Sequence, residues 1–209
     1  PASSYSAADI ITKRVEAISS LAPLPDTLVT GQYAGYLAEK DVSPLSTRET
    51  FFAFKTQLTT TKLTGVPIYV RGGKKLTRTA TEIAFIFKDS VDRRLAHFPG
   101  GNAPNILIFR IQPNEGIILK IMTKVPGHEF KLDESYMQYC YPHDSDLPDA
   151  YERLIMDAIK GDQMFFNDAS EVDAQWAFTD VLLGSLNHPP FVYPSGSWGP
   201  KEADEMIAR

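Results

Sequence analysis

One cysteine, Cys140, is all that 209 residues contain. A disulfide framework and a multi-cysteine zinc site are therefore excluded, a reducing compartment is favoured, and Cys140 is expected to be a small buried hydrophobe. Positive charge is scarce too: 21 Lys and Arg against 26 Asp and Glu give a formal net charge of −5. Nucleic acids and anionic membranes need clustered cations, so neither is an expected partner, and any bound anion has to be met locally. No apolar run approaches the ~20 residues of a membrane helix. The first residues, PASSYSAAD, lack the basic-then-apolar order of a secretory signal, so the expected location is the cytoplasm. A start at Pro1, without an initiating Met, suggests processing or trimming, which fits a domain cut from something larger.

Catalytic motifs are missing as well. Gly72, Gly73 and Lys74 resemble part of a phosphate loop, but Ile68 and Lys75 stand where Gly and Ser or Thr are required. No G-x-G-x-x-G lies between a strand and a helix, so a complete nicotinamide site is not expected. The four histidines, His97, His128, His143 and His188, show no zincin spacing, and Gly196 to Gly199 is not a nucleophile elbow. His143, Asp144, Asp146 and Asp149 lack the ligand count and the glycine of a calcium loop; a solvated loop ending in a helix cap is the better reading, and no metal is expected.

What is present is a folded composition, 43% hydrophobic with 12 Phe and 9 Tyr, and clear periodicity. Thr50 to Thr59 alternates with Phe52, Phe54 and Leu58 on one face, and Thr81 to Lys88 places Ile83, Phe85 and Phe87 in register, both at strand period. Asn105 to Val125 predicts a hairpin around Pro113 to Glu115, with Gly116 free to take positive φ. Val66 to Arg71 and Ser135 to Cys140 add strands. Ala8 to Leu21 carries apolar residues at helical spacing until Pro23 and Pro25. Asp149 and Glu152 form a capping-box pattern ahead of a helix whose stripe, Leu154, Ile155, Ala158 and Ile159, is expected to be buried as far as Gly161. Ser170 to Leu186 predicts a third helix. Strands grouped centrally and helices at the ends indicate α+β: one domain over residues 1–209, with a large, mostly antiparallel sheet of six or more strands and helices packed on one face.

One positive cluster stands out. Arg71, Lys74, Lys75 and Arg78 lie at a strand end beside two glycines that would let the backbone approach a ligand. The cluster suits a phosphate monoester, but charges at a strand end are more commonly a solvated edge that blocks aggregation, and local sequence leaves both open. Arg110 and Gln112, two apart, share a strand face and need polar partners, each other or the sheet rim.

In order along the chain, KRVEAISSLAPL from Lys13, GQYAGY from Gly31, STRETFFAFK from Ser46, GVPIYVRGGKKL from Gly65, NILIFRIQPNEGIILKIMTKVPG from Asn105, PDAYERLIMDAIKGDQMFF from Pro148 and YPSGSWGPKEADEMI from Tyr193 resemble the carboxy-terminal half of glucose-6-phosphate dehydrogenases. The resemblance implies an oxidoreductase that converts glucose 6-phosphate to 6-phosphogluconolactone with NADP, at the entry to the pentose phosphate pathway. Its dinucleotide is bound mainly by an amino-terminal Rossmann domain. The family's catalytic histidine and its RIDHYLGK motif have no match in this chain, so no catalytic residue is assigned and the chain alone is expected to be inactive. By the same resemblance Lys74 matches a lysine that holds the sugar phosphate, and Gln112 a glutamine close to the substrate. The family's second cation, five residues after that lysine, is replaced by Thr79, with Arg78 the adjacent candidate to substitute. Ala84 and Trp198 stand where animal enzymes use arginines for a structural NADP, so no such site is expected. The resemblance further implies a homodimer through the sheet. A stand-alone, non-catalytic dimerisation or assembly module is the alternative.

Overall fold

The structure, a computed structural model, describes Ser4 and residues 6–60, 62–88, 103–141 and 150–208. His97, His143, Asp144, Asp146 and Asp149 lie outside them, and with them the loop read as solvated and ending in a helix cap, including the first half of the expected capping box. The described residues form two compact units, Pro1–Thr77 with Pro148–Arg209, and Arg78–Leu147.

The first unit is built on the strand β3 (Phe51–Leu58), whose aromatic and β-branched residues fit a pleated surface. Three short strands, β1 (Leu21–Pro23), β2 (Val29–Tyr33) and, farther along the chain, β9 (Phe191–Tyr193), complete this sheet together with β4 (Pro67–Gly73). Antiparallel pairing sets Ala53 opposite Val29 and Arg71, and β9 adds to β2 in parallel, with Tyr193 beside Tyr33. Directly paired residues share a face. Val29, Tyr33, Phe51, Ala53 and Tyr193 thus form one buried layer, closed by Ala203 of the helix α4 (Lys201–Ile207). The opposite face carries Phe54, whose ring lies 5.7 Å from that of Phe178 on α3 (Ala169–Leu183).

Helix α1 (Ala7–Ser19), capped by the Ser6 hydroxyl accepting from the Asp9 amide, packs against α3. Their contact includes Arg14 Nη1, 3.6 Å from the buried Glu171 carboxylate, whose other oxygen accepts from the Asp168 amide and completes a capping box at the start of α3. A buried carboxylate needs such partners, because an unpaired one would cost several kcal/mol, of order 3–5. Gly199, at φ 109°, lets the chain turn over the Phe51 ring; a Cβ there would sit 2.3 Å from a ring carbon.

The second unit is a four-stranded antiparallel meander, β5 (Thr81–Ile86), β6 (Ile106–Gln112), β7 (Gly116–Lys124) and β8 (Leu132–Cys140). Ile83, Phe109, Ile117 and Tyr139 align across one face, followed by Phe85, Leu107, Leu119 and Met137. The other face alternates apolar residues with Glu82, Arg110, Lys120 and Glu134. Among the described residues of this unit only Gly116 and Leu132 are buried.

The α+β class and mostly antiparallel pairing are as expected, with differences in layout. Nine described strands form two sheets of five and four rather than one sheet, because periodicity specifies strands and not their partners. The five-stranded sheet has helix on both faces rather than one, α4 on the Ala53 side and α3 on the Phe54 side. The hairpin forms where expected, but Asn114, at φ 57°, takes the left-handed position, and Gly116 instead lies in β7, where a Cβ would be 2.4 Å from the Tyr139 carbonyl. Helix α2 (Ala150–Lys160) is present, yet its stripe is not covered by the described residues: Ile155 is 60% and Ile159 74% exposed. Cys140 is exposed rather than buried, since it ends β8 at the sheet's edge.

Candidate substrate-phosphate site

Residues 74–77 leave β4 as a short loop whose backbone is fastened at nearly every step. The Lys74 amide donates to the Thr50 carbonyl at 2.8 Å, and the Lys74 carbonyl accepts from the Tyr193 hydroxyl at 2.8 Å. The Lys75 carbonyl accepts from the Gly196 amide at 2.8 Å, and the Thr77 amide donates to the Ser197 carbonyl at 3.0 Å. The Thr77 hydroxyl closes the set on the Gly196 carbonyl at 2.6 Å. The loop is thus stitched to Thr50 just before β3, to Tyr193 of β9 and to the segment between β9 and α4, which are far apart in sequence. Lys75 sits at φ 52°, a strained position for a side chain larger than glycine, which persists where surrounding bonds over-determine it.

The cations of the basic cluster differ in what they face. Arg71 Nη2 is 2.7 Å from Asp204 Oδ1, and Arg71 Nη1 donates to the Trp198 carbonyl at 3.3 Å. Lys75 Nζ is 2.9 Å from Glu39 Oε1 and lies 5.3 Å from the centre of the Tyr33 ring. The Tyr33 hydroxyl donates to the same Glu39 oxygen at 3.1 Å. Hydrogen bonds from Lys75 and Tyr33 hold the Glu39 carboxyl below its ordinary range, and Glu39 in turn raises Lys75. Arg78 Nη2 is 2.7 Å from Glu82 Oε2. Lys74 is exposed and, among the described residues, pairs with no carboxylate. An unpaired ammonium on a fixed backbone is suited to an anion supplied from solution.

Gly72 and Gly73 serve packing instead of ligand approach. A Cβ on either would fall 2.8 Å from the ring of Phe52 or Phe51 on the neighbouring strand. Burial pushes the Tyr193 phenol up, so it stays a neutral donor.

Arg78 and Gln112 belong to the second unit and Lys74 to the first. Within the second, Glu82 gathers both Arg78 and Arg110, the latter at 3.1 Å, so Arg110 pairs across the strands rather than with Gln112. Gln112 is exposed at the strand end, opposite Thr81. Sequence reasoning missed Tyr193, Thr50 and Glu39, because only the fold brings them to the loop. The one available hint was the aromatic run FVY before the Pro-Ser-Gly turn.

Parallel pairing among the named strands is confined to β2 with β9. The turn from β9 into α4, residues 194–200, carries Gly196 and Gly199 without the G-x-G-x-x-G order. No group of three metal-ligating side chains occurs among the described residues, and no helix there is long and apolar enough to cross a membrane.

Comparison with known proteins identifies the family. The profile described as "Glucose-6-phosphate dehydrogenase, C-terminal domain" matches residues 1–209. A glucose-6-phosphate 1-dehydrogenase of Chlamydia pneumoniae is 36% identical over all of this chain and 45% of its own length. That of Treponema pallidum is 39% identical over 83% of this chain and 35% of its own. The crystal structure of a glucose-6-phosphate 1-dehydrogenase from Mycobacterium avium superimposes with a TM-score of 0.87 at 27% identity, covering 99% of this chain and 44% of that one. A glucose-6-phosphate dehydrogenase solved in complex with glucose 6-phosphate gives 0.83 at 28% identity, covering 100% and 46%. The chain spans less than half the length of these relatives. Its whole length belongs to the family of glucose-6-phosphate dehydrogenase carboxy-terminal domains.

Proposed function

We propose that the chain works as one carboxy-terminal substrate-binding and dimerisation domain of a cytoplasmic glucose-6-phosphate dehydrogenase. That enzyme oxidises glucose 6-phosphate to 6-phosphogluconolactone at the entry to the pentose phosphate pathway. NADP, bound by the rest of such a polypeptide, supplies the hydride acceptor, and the residues described here contribute no step of that transfer. The observation that carries the reading is Lys74: a cation without a carboxylate partner among the described residues, on a loop whose neighbours are bonded into place. Gln112 and Arg78 are assigned supporting substrate contacts. Arg78 is the candidate for the cation missing at Thr79, and Glu82 would have to share it.

A sugar phosphate is a dianion in both ground and transition states, so Lys74 binds the two alike. In the enzyme that contains this chain, Lys74→Ala is expected to raise KM for glucose 6-phosphate with little change in kcat. The loss of a charge-assisted contact of about 1.5 to 3 kcal/mol corresponds to a roughly tenfold to hundredfold fall in kcat/KM. KM for NADP and activity on unphosphorylated glucose should hold. Equal losses for glucose and glucose 6-phosphate would move Lys74 out of the phosphate site. The chain alone should give no NADPH; turnover by the chain alone would refute that division of labour.

A further inference from the structure

We propose that the buried hydroxyl of Tyr193 is a positioning group for the sugar-phosphate site, holding the Lys74 backbone so that its ammonium points to one place. This inference rests on the reading of Lys74 given above. Tyr193 is 0% exposed, its ring packed at 5.5 Å from Phe51 and 6.4 Å from Tyr33. Its hydroxyl ends a run of bonds with one consistent direction. The Tyr33 amide donates to Thr50 Oγ1 at 3.0 Å, leaving the Thr50 proton for the Tyr193 oxygen at 3.1 Å and the Tyr193 proton for the Lys74 carbonyl at 2.8 Å. An amide nitrogen is only a donor and a carbonyl only an acceptor, so this order is the one that satisfies every member.

The Lys74 amide donates to the Thr50 carbonyl, so both backbone groups of Lys74 are held by the Thr50 and Tyr193 pair. Lys75, next in the chain, has its own ammonium fixed on Glu39. Only the side-chain torsions of Lys74 remain free, and the penalty for ordering it around a phosphate is reduced accordingly. Packing alone would be served by phenylalanine. What the hydroxyl adds is the bond to the residue whose charge the site uses.

The test compares Tyr193→Phe, Lys74→Ala and the double variant in the enzyme that contains this chain. Thr56→Val is the control, since it also removes a buried hydroxyl bonded to a backbone carbonyl, that of Ala22 at 2.8 Å, elsewhere in the sheet. Tyr193→Phe should raise KM for glucose 6-phosphate about fivefold, the usual effect of one neutral hydrogen bond, with kcat within about twofold and KM for NADP unchanged. In the Lys74→Ala background the same change should have no further effect on KM. Thr50→Val should reproduce the pattern at smaller size and Thr50→Ser restore it, which keeps the test decisive if Tyr193→Phe folds poorly. Thr56→Val should lower the unfolding midpoint and leave KM alone. If Lys74→Ala discriminates phosphorylated from free sugar but Tyr193→Phe is silent, or adds fully to it, Tyr193 is structural and this inference alone falls. If Lys74→Ala is itself silent, the reading of Lys74 fails and the inference goes with it.

Discussion

Strands β3 and β6 are close in composition, yet in β3 Phe51 and Ala53 are fully buried, whereas in β6 every residue from Ile106 to Arg110 is only partly so. The difference lies in what covers them. The first unit brings α4 onto one face of its sheet and α3 onto the other. The second unit has no helix among its described residues, and its apolar face stays open, with Phe85 47% and Met137 56% exposed. Contiguous apolar surface of that kind is uncommon on a monomer. The opposite face is laced with ion pairs, Arg78 and Arg110 on Glu82 and Lys120 on Glu134. Strands of similar apolar character thus give a closed core in one unit and an open apolar face in the other, and the proposed occupant of that face is a second copy of the chain.

The largest expected effect tests the closed core. Gly199→Ala would place a methyl within the Phe51 ring at a φ of 109°, adding a clash to a strained backbone. A loss of about 3 kcal/mol or more in urea unfolding is expected. Gly127→Ala in the second unit, at φ 132° with nothing within 4 Å, should cost only the backbone strain, about 1–2 kcal/mol. Comparable losses would show that the two units are packed alike after all.

The open face comes next. Phe85→Lys places a charge on the apolar face and should weaken self-association at least about thirtyfold, as for a central interface residue. Gln138→Lys, on the other face opposite Ile118, should change it little. Sedimentation across a concentration series decides this. A chain that is monomeric throughout, or one disrupted equally by both variants, would remove the contrast between faces.

Long strands and helices were legible in the sequence because their periods are. Segments 50–59, 81–88 and 105–125 hold strands, and α1, α2 and α3 fall within a few residues of expectation. Strands β1, β2 and β9, three to five residues each and interrupted or flanked by Pro or Gly, have no period to read; β3 and β2 impose their conformation by pairing. Helix α4 is short and opens at Pro200 without a side-chain cap. The capping box at Asp168 and Glu171 has the same D-x-x-E spacing that was read at Asp149, so that signal was available. At the site, the charge cluster was visible, but its sorting was not: Glu39 and Asp204, which occupy Lys75 and Arg71, lie 36 and 133 residues away in sequence.

The smallest expected effect compares two similar triads, one in each unit: Glu39 with Lys75 and Tyr33, and Glu134 with Lys120 and Tyr136. Both carboxyls are held below their ordinary range, first by the lysine and then by the tyrosine. A carboxyl whose folded value is lowered contributes stability above its unfolded value, near 4.3, and that contribution is lost as pH falls through the folded value. Glu39→Gln and Glu134→Gln should therefore each flatten the acid limb of the unfolding curve below about pH 4.5 and leave the slope near pH 7 unchanged. Salt separates the two. Lys75 is 54% exposed and Lys120 only 17%, so mobile ions reach the first pair more readily. Raising NaCl should erase most of the difference between wild type and Glu39→Gln and less of that for Glu134→Gln. Greater salt sensitivity at Glu134 would mean that the pair on the open sheet is the more solvated of the two, against the exposures of their lysines.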